Sequence, residues 1–137
     1  MIIVLDTSAG VDLILHGKHS SKIKTYLDNC SKVITSELYK AETTNVFWKY
    51  VKADFISKTD AITYLNLSHK LIDEYYDISN FSIECLHEAL RLDHSTYDML
   101  YLTLAKRSGG MLLTIDKKLT NLGANEGIDT PILGDSA

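Results

Sequence analysis

Four acids, Asp6, Glu42, Asp98 and Asp116, stand where a strand gives way to a helix or near a helix start, next to apolar runs rather than inside solvated charge clusters. A carboxylate beside a buried segment is costly unless it is paired or held by hydrogen bonds. Four of them converging would repel one another and take up protons unless a cation neutralised them, so a divalent metal is the natural occupant. Ligation by oxygen alone, without cysteine or histidine, suits Mg2+, with Mn2+ as a substitute, rather than zinc. Such an ion polarises a phosphodiester and makes a bound water nucleophilic, so phosphoryl chemistry is what these residues predict. Each acid also has a plain structural use. Asp6 and Asp116 can cap helices, Asp98 can be the acid of a capping box with Ser95, and Glu42 can pair with a lysine on an exposed helix face.

The elements that must position these acids can be read from the pattern. Ser95 opens a helix whose run YDMLYLTLA, Tyr97 to Ala105, is apolar on nearly every side apart from Asp98. Arg107 and Gly109 end it, Met111 to Ile115 reads as a buried strand, and Asp116 follows where that strand hands over to a helix from about Lys117. At the other end, Ile2 to Leu5 is a strand covered on both faces, ended by Asp6; Thr7 or Ser8 caps a helix from about Ala9, closed by Gly17. Further helices are predicted from Ser20 or Ser21 to Asn29, from Glu37 to Lys52, from Thr59 to Tyr75 and from Ser82 to Leu92. Additional strands are predicted at Lys32 to Thr35, near Asp77 and Ile78, and near Ile132 and Leu133 after Pro131. On the helix from Glu37, the residues Leu38, Glu42, Asn45 and Lys49 fall along one stripe. Alternating strands and helices predict an α/β fold, a parallel sheet between helix layers, with Asp6 and Asp116 at the same sheet edge.

With 137 residues and 45% hydrophobic composition, the chain fits one domain spanning 1–137. The net charge of −4 argues against nonspecific coating of nucleic acid but not against a nuclease whose acidic site is flanked by lysines, with Lys18, Lys22, Lys24, Lys40, Lys49 and Lys52 as candidates. Cys30 and Cys85 read as reduced thiols, His16 and His19 as loop residues, and Trp48 with Tyr39, Tyr50, Tyr64 and Tyr75 as core or dimer packing. No apolar stretch approaches the length of a bilayer span and MIIVL is too short for a signal peptide, so a cytoplasmic location is expected.

The segments VLDTSA (Val4 to Ala9), ELYKAETTNVFWK (Glu37 to Lys49), STYDMLYLTLAKRSG (Ser95 to Gly109) and LLTIDKKL (Leu112 to Leu119) together resemble the PIN-domain family, most closely the VapC-type ribonuclease toxins of toxin–antitoxin pairs. The resemblance implies a three-layer α/β/α domain with a central parallel sheet and a magnesium-dependent endoribonuclease site. It also implies a homodimer acting on RNA and held inactive by an antitoxin protein. Residue by residue it places the family's acids on Asp6, Glu42, Asp98 and Asp116, with Asp6 and Asp98 nearest the metal, and with Ser8, Asn45 and Thr114 in support. Asp93 competes with Asp116 as the fourth acid. Two other readings stand beside it: a PIN fold that binds RNA or a partner without cutting, and a haloacid-dehalogenase-like phosphatase with Asp6 as nucleophile. The second lacks its second aspartate, since Ser8 occupies that place.

Overall fold

Ile2–Leu5 (β1) is apolar and largely β-branched, and its last three residues are fully buried. A strand of this kind needs partners on both edges and cover on both faces. In the computed structural model, which describes residues 1–133, β1 pairs in parallel with Lys32–Ser36 (β2) on one side and with Met111–Leu113 (β4) on the other. Glu74–Tyr76 (β3) adds to β2, giving an all-parallel sheet of order β3-β2-β1-β4. The helices are α1 (Thr7–Ile14), α2 (Ser20–Asp28), α3 (Leu38–Lys52), α4 (Lys58–Lys70), α5 (Ser82–Leu92), α6 (Thr96–Ser108) and α7 (Lys117–Asn125). They cover both faces of the sheet, so the fold is the three-layer α/β/α arrangement.

The apolar run anticipated in α6 has its expected role. Met99 to Ala105 are all buried, and the helix packs across β1, β2 and β4 with α5 against its outer side. Gly109 ends it at φ 66°, the left-handed cap that glycine adopts without steric penalty. A second, smaller core of Val11, Phe47 and Ala61 joins α1, α3 and α4. Tyr39 is buried, while Tyr50, Tyr64 and Tyr75 are partly buried and Trp48 is largely exposed.

Gly10 in α1 faces Tyr39, and a β-carbon there would lie 2.3 Å from the phenol oxygen. That oxygen is already fixed, donating to the Ser68 carbonyl at 2.9 Å. Gly10→Ala is therefore expected to destabilise by about 1–3 kcal/mol through overpacking, more than the ~1 kcal/mol that alanine gains in a helix. Urea denaturation checks this, and Tyr39→Phe in the same chain should recover part of the loss.

Four expectations need correction. The fourth helix stops at Lys70 instead of running to Tyr75. The backbone turns at Leu71 to Asp73, where Asp73 exchanges two bonds with Val33: its amide donates to the Val33 carbonyl and its carboxylate accepts from the Val33 amide, both at 2.8 Å. The third strand is Glu74–Tyr76, and Ile78–Asn80 is a 3₁₀ turn capped by Asp77. Ile132 and Leu133 form no strand: Asp129 accepts one bond from Leu112, and Pro131, lacking an amide proton, cannot extend such a ladder. Finally, α1 begins at Thr7, capped by Asp6 itself rather than by Thr7 or Ser8. The last four residues of the 1–137 span lie outside the described residues.

Candidate active site

Asp6 and Thr114 follow adjacent parallel strands, so the turns β1–α1 and β4–α7 open side by side at the C-terminal edge of the sheet. The two turns are laced together. Ser8 Oγ donates to Asp6 Oδ1 at 2.7 Å and accepts the Ile115 amide at 3.1 Å. Thr114 Oγ1 donates to Asp6 Oδ2 at 2.5 Å and accepts the Asp116 amide at 3.1 Å. The Ala9 amide completes the set, donating to Asp6 Oδ1 at 3.0 Å. Asp6 is 5% exposed, and this burial pushes its pKa up to about 6, with Glu42's charge adding to the rise, although the bonds from Thr114, Ala9 and Ser8 pull the other way.

Glu42 reaches the same edge from α3. Its Oε1 accepts from Tyr101 at 2.5 Å and from Thr7 at 3.1 Å, and those two hydroxyls are 2.9 Å apart. Burial and the adjacent Glu42 charge hold the Tyr101 phenol protonated, so it is a donor. Neither residue is expected at the site from sequence, where Thr7 reads only as a candidate helix cap. Tyr101 lies one turn after Asp98 on α6 and Thr7 directly follows Asp6, which is the only local signal available. Tyr101→Phe should cost about 1.5–3 kcal/mol, the usual range for a hydrogen bond to a charged group, measurable by urea denaturation at neutral pH.

Asp98 sits in the first turn of α6 with its side chain 34% exposed. The capping box is only half present: Ser95 Oγ accepts the Tyr97 amide at 3.2 Å, while Asp98 takes no backbone amide among the described residues. Partial burial and the Asp116 charge raise the Asp98 pKa, with His94 and Lys118 acting against the rise. Asp116 caps α7 through the Leu119 amide at 3.0 Å, so here the structural use is real. Asn45 is exposed one turn beyond Glu42. Asp93 is exposed, closing α5 in the left-handed conformation beside Asp98. Of the lysines proposed from sequence, Lys24 pairs with Asp28, Lys40 with Glu37, and Lys22 donates to the Leu133 carbonyl. Lys118, which lines the groove with Asp98, was not among them.

The acids thus stand as two pairs: the Glu42 charge raises the proton affinity of Asp6, and the Asp116 charge raises that of Asp98. Among the described residues, no three His, Cys, Asp or Glu side chains are placed closely enough to cage an ion as they stand. The donor set nevertheless fits a hard divalent cation: it is all oxygen, it repels itself, and Asp98 holds its carboxylate clear of hydrogen bonds among the described residues.

The PIN domain family model matches residues 3–125. The chain belongs to the PIN domain family. This PIN domain is 28% identical over 124 residues to Ribonuclease VapC3 of Pyrobaculum aerophilum, covering 87% of this chain and 92% of that protein. Its fold is similar to that of PAE2754 from the same organism, with a TM-score of 0.70 and 21% identity over 88% of this chain and 84% of that one. It is also similar to VapBC2 from Rickettsia felis bound to a DNA fragment from their promoter, with a TM-score of 0.69 and 16% identity over 98% and 100% of the two chains. No helix among the described residues is long and apolar enough to cross a membrane.

Proposed function

We propose that this PIN domain is a magnesium-dependent endoribonuclease and the toxin of a type II toxin–antitoxin pair. The observation that carries the reading is the buried Asp6 carboxylate, held by Ser8, Thr114 and the Ala9 amide at the edge that Glu42, Asp98 and Asp116 approach. Similarity to Ribonuclease VapC3 supports ribonuclease chemistry, and the fold shared with VapBC2 supports an antitoxin partner. Asp6 and Asp98 would hold Mg2+ or Mn2+, with Glu42 and Asp116 completing the outer positions. A bound ion supplies the nucleophilic water and neutralises charge on the phosphate.

The chain's own groups do the rest. Ser8 and Thr114 fix the direction of both Asp6 oxygens, and Tyr101 with Thr7 fixes Glu42, so neither acid must reorganise when charge develops nearby. Lys118 stands beside Asp98 in the groove, where its ammonium can meet a phosphate. Seven of the ten large apolar side chains exposed among the described residues fall into two groups. Trp48, Phe55, Ile62 and Leu67 lie on or between α3 and α4, and Ile83, Leu86 and Leu90 follow one face of α5. Two such faces suit a second copy of the chain and an antitoxin.

The test is cleavage of total cellular RNA by purified protein, read by sequencing new ends, with Mg2+, with Mn2+ and with chelator. Discrete cuts that need the ion support the reading. Intact RNA in every condition, with retained RNA binding, favours the binding module instead.

A further inference from the structure

The turn joining α5 to α6 is three residues long, Asp93 to Ser95, and its backbone is tied at every position. Asp93 closes α5 at φ 50°, ψ 54°, a conformation that a side chain bearing a β-carbon resists. The His94 amide donates back to the Ala89 carbonyl at 3.0 Å, and Ser95 caps α6. The two helix ends therefore hold the His94 ring over the first turn of α6, with Nδ1 3.7 Å from Asp98 Oδ2. The ring is 8% exposed, and neither of its nitrogens has a hydrogen-bond partner among the described residues. A buried imidazole without partners weakens the fold, and an apolar side chain of similar size would pack the space without that defect. A strained turn and an unsatisfied ring thus coincide beside the one acid of the four that the described hydrogen bonds leave unheld.

We propose that His94 is a positioning residue for Asp98: a small movement brings Nδ1–H onto Oδ2 and fixes the direction of the carboxylate as it engages a divalent ion. Partners of this kind orient metal-ligating carboxylates and strengthen their hold on the ion. The proposal rests on the reading of Asp98 as a metal ligand. His94 would act through Asp98, without touching substrate, from the wall of the roughly 570 Å³ groove that it lines with Leu86, Leu90, Asp98 and Lys118.

The experiment is calorimetric titration of the metal-free protein with Mn2+, alongside thermal denaturation in chelator, for the native chain and three variants. His94→Leu should weaken Mn2+ binding by about tenfold or more, with the melting temperature in chelator unchanged or higher. His94→Asn, whose amide nitrogen stands where Nδ1 was, should retain affinity within roughly threefold. Asp98→Asn serves as the reference for loss of the ligand itself. If His94→Leu binds Mn2+ like the native chain while Asp98→Asn does not, the positioning role is overturned and the site stands. If both His94 variants weaken binding equally and both melt lower, His94 is a packing residue and the proposal fails. If Asp98→Asn binds Mn2+ like the native chain, Asp98 is no ligand, and the site reading falls together with this one.

Discussion

Asp98→Asn will lower metal-dependent RNA cleavage by roughly 10²–10³-fold or more, the scale of losses when a preorganised polar group at a reacting centre is removed. The fold should survive the change. Asp98 is on the solvent side of α6, one third exposed, while Met99, Leu100 and Leu102, which anchor the helix, point inward. Its carboxylate supports no backbone amide among the described residues, so asparagine removes a charge and leaves the helix cap on Ser95 intact. Partial burial and the Asp116 charge both disfavour the ionised form, so stability should be unchanged or slightly improved. Initial rates with a defined RNA, together with circular dichroism and urea denaturation, separate the two effects. A variant that cuts within a factor of about three of the native chain would remove Asp98 from the mechanism.

Asp6→Asn has a second large consequence, visible in stability rather than rate. The Asp6 carboxyl in the folded chain has its pKa raised from 3.8 to about 6, chiefly by burial. A group that holds its proton more tightly when folded stabilises the fold most at low pH. That contribution begins to fade above the unfolded value and is gone once pH has passed the folded one, so the window runs from about pH 4 to about pH 6. The difference corresponds to about 3 kcal/mol. Asparagine avoids it, at the expense of setting an amide NH₂ against the Thr114 hydroxyl proton, a cost of about 1–3 kcal/mol, which leaves a net gain of about 0–2 kcal/mol near pH 7.5 in chelator. Near pH 4 the gain should vanish or reverse. Mg2+ should stabilise the native chain and not the variant, because only a site that binds the ion is stabilised by it. Urea denaturation at the two pH values, with and without Mg2+, checks all three arms. A variant less stable than the native chain at both pH values would show that Asp6 is first a structural cap.

How much of this could be read in advance depends on whether the governing contact is local. The strand at Ile2 to Leu5, the buried α6 and its glycine stop each follow from a few neighbouring residues, and they lie where expected. Asp6, Ser8 and Thr114 were also legible as candidates, and they meet in one hydrogen-bonded set. The misplaced strand failed for the opposite reason. Leu71 and Ile72 continue a helical apolar spacing, and only the exchange between Asp73 and Val33, forty residues apart, turns the chain into an edge strand instead. Pairing of that kind overrides local propensity. The site roles of Thr7, Tyr101 and His94 were not legible because each matters through a partner side chain: Thr7 reads as a helix cap, and Tyr101 is apolar packing in the sequence and a proton donor to Glu42 in the fold, 59 positions away. The second use of Asp6 and Asp116 as caps was stated from the pattern and is present, so one side chain can serve helix and chemistry together.

The bond from Thr114 to Asp6 spans 108 residues. At the roughly 5–20 residues per second of synthesis, Asp6 leaves the ribosome some five to twenty seconds before the hydroxyl that completes its surroundings. Through that interval β1 lacks β4 along one edge, and the first acid lacks the turn that orients it. A nascent chain therefore lacks the hydrogen-bonded setting of Asp6 until Thr114 has been made. On the proposed reading, cleavage would switch on at one point of synthesis rather than grow with chain length.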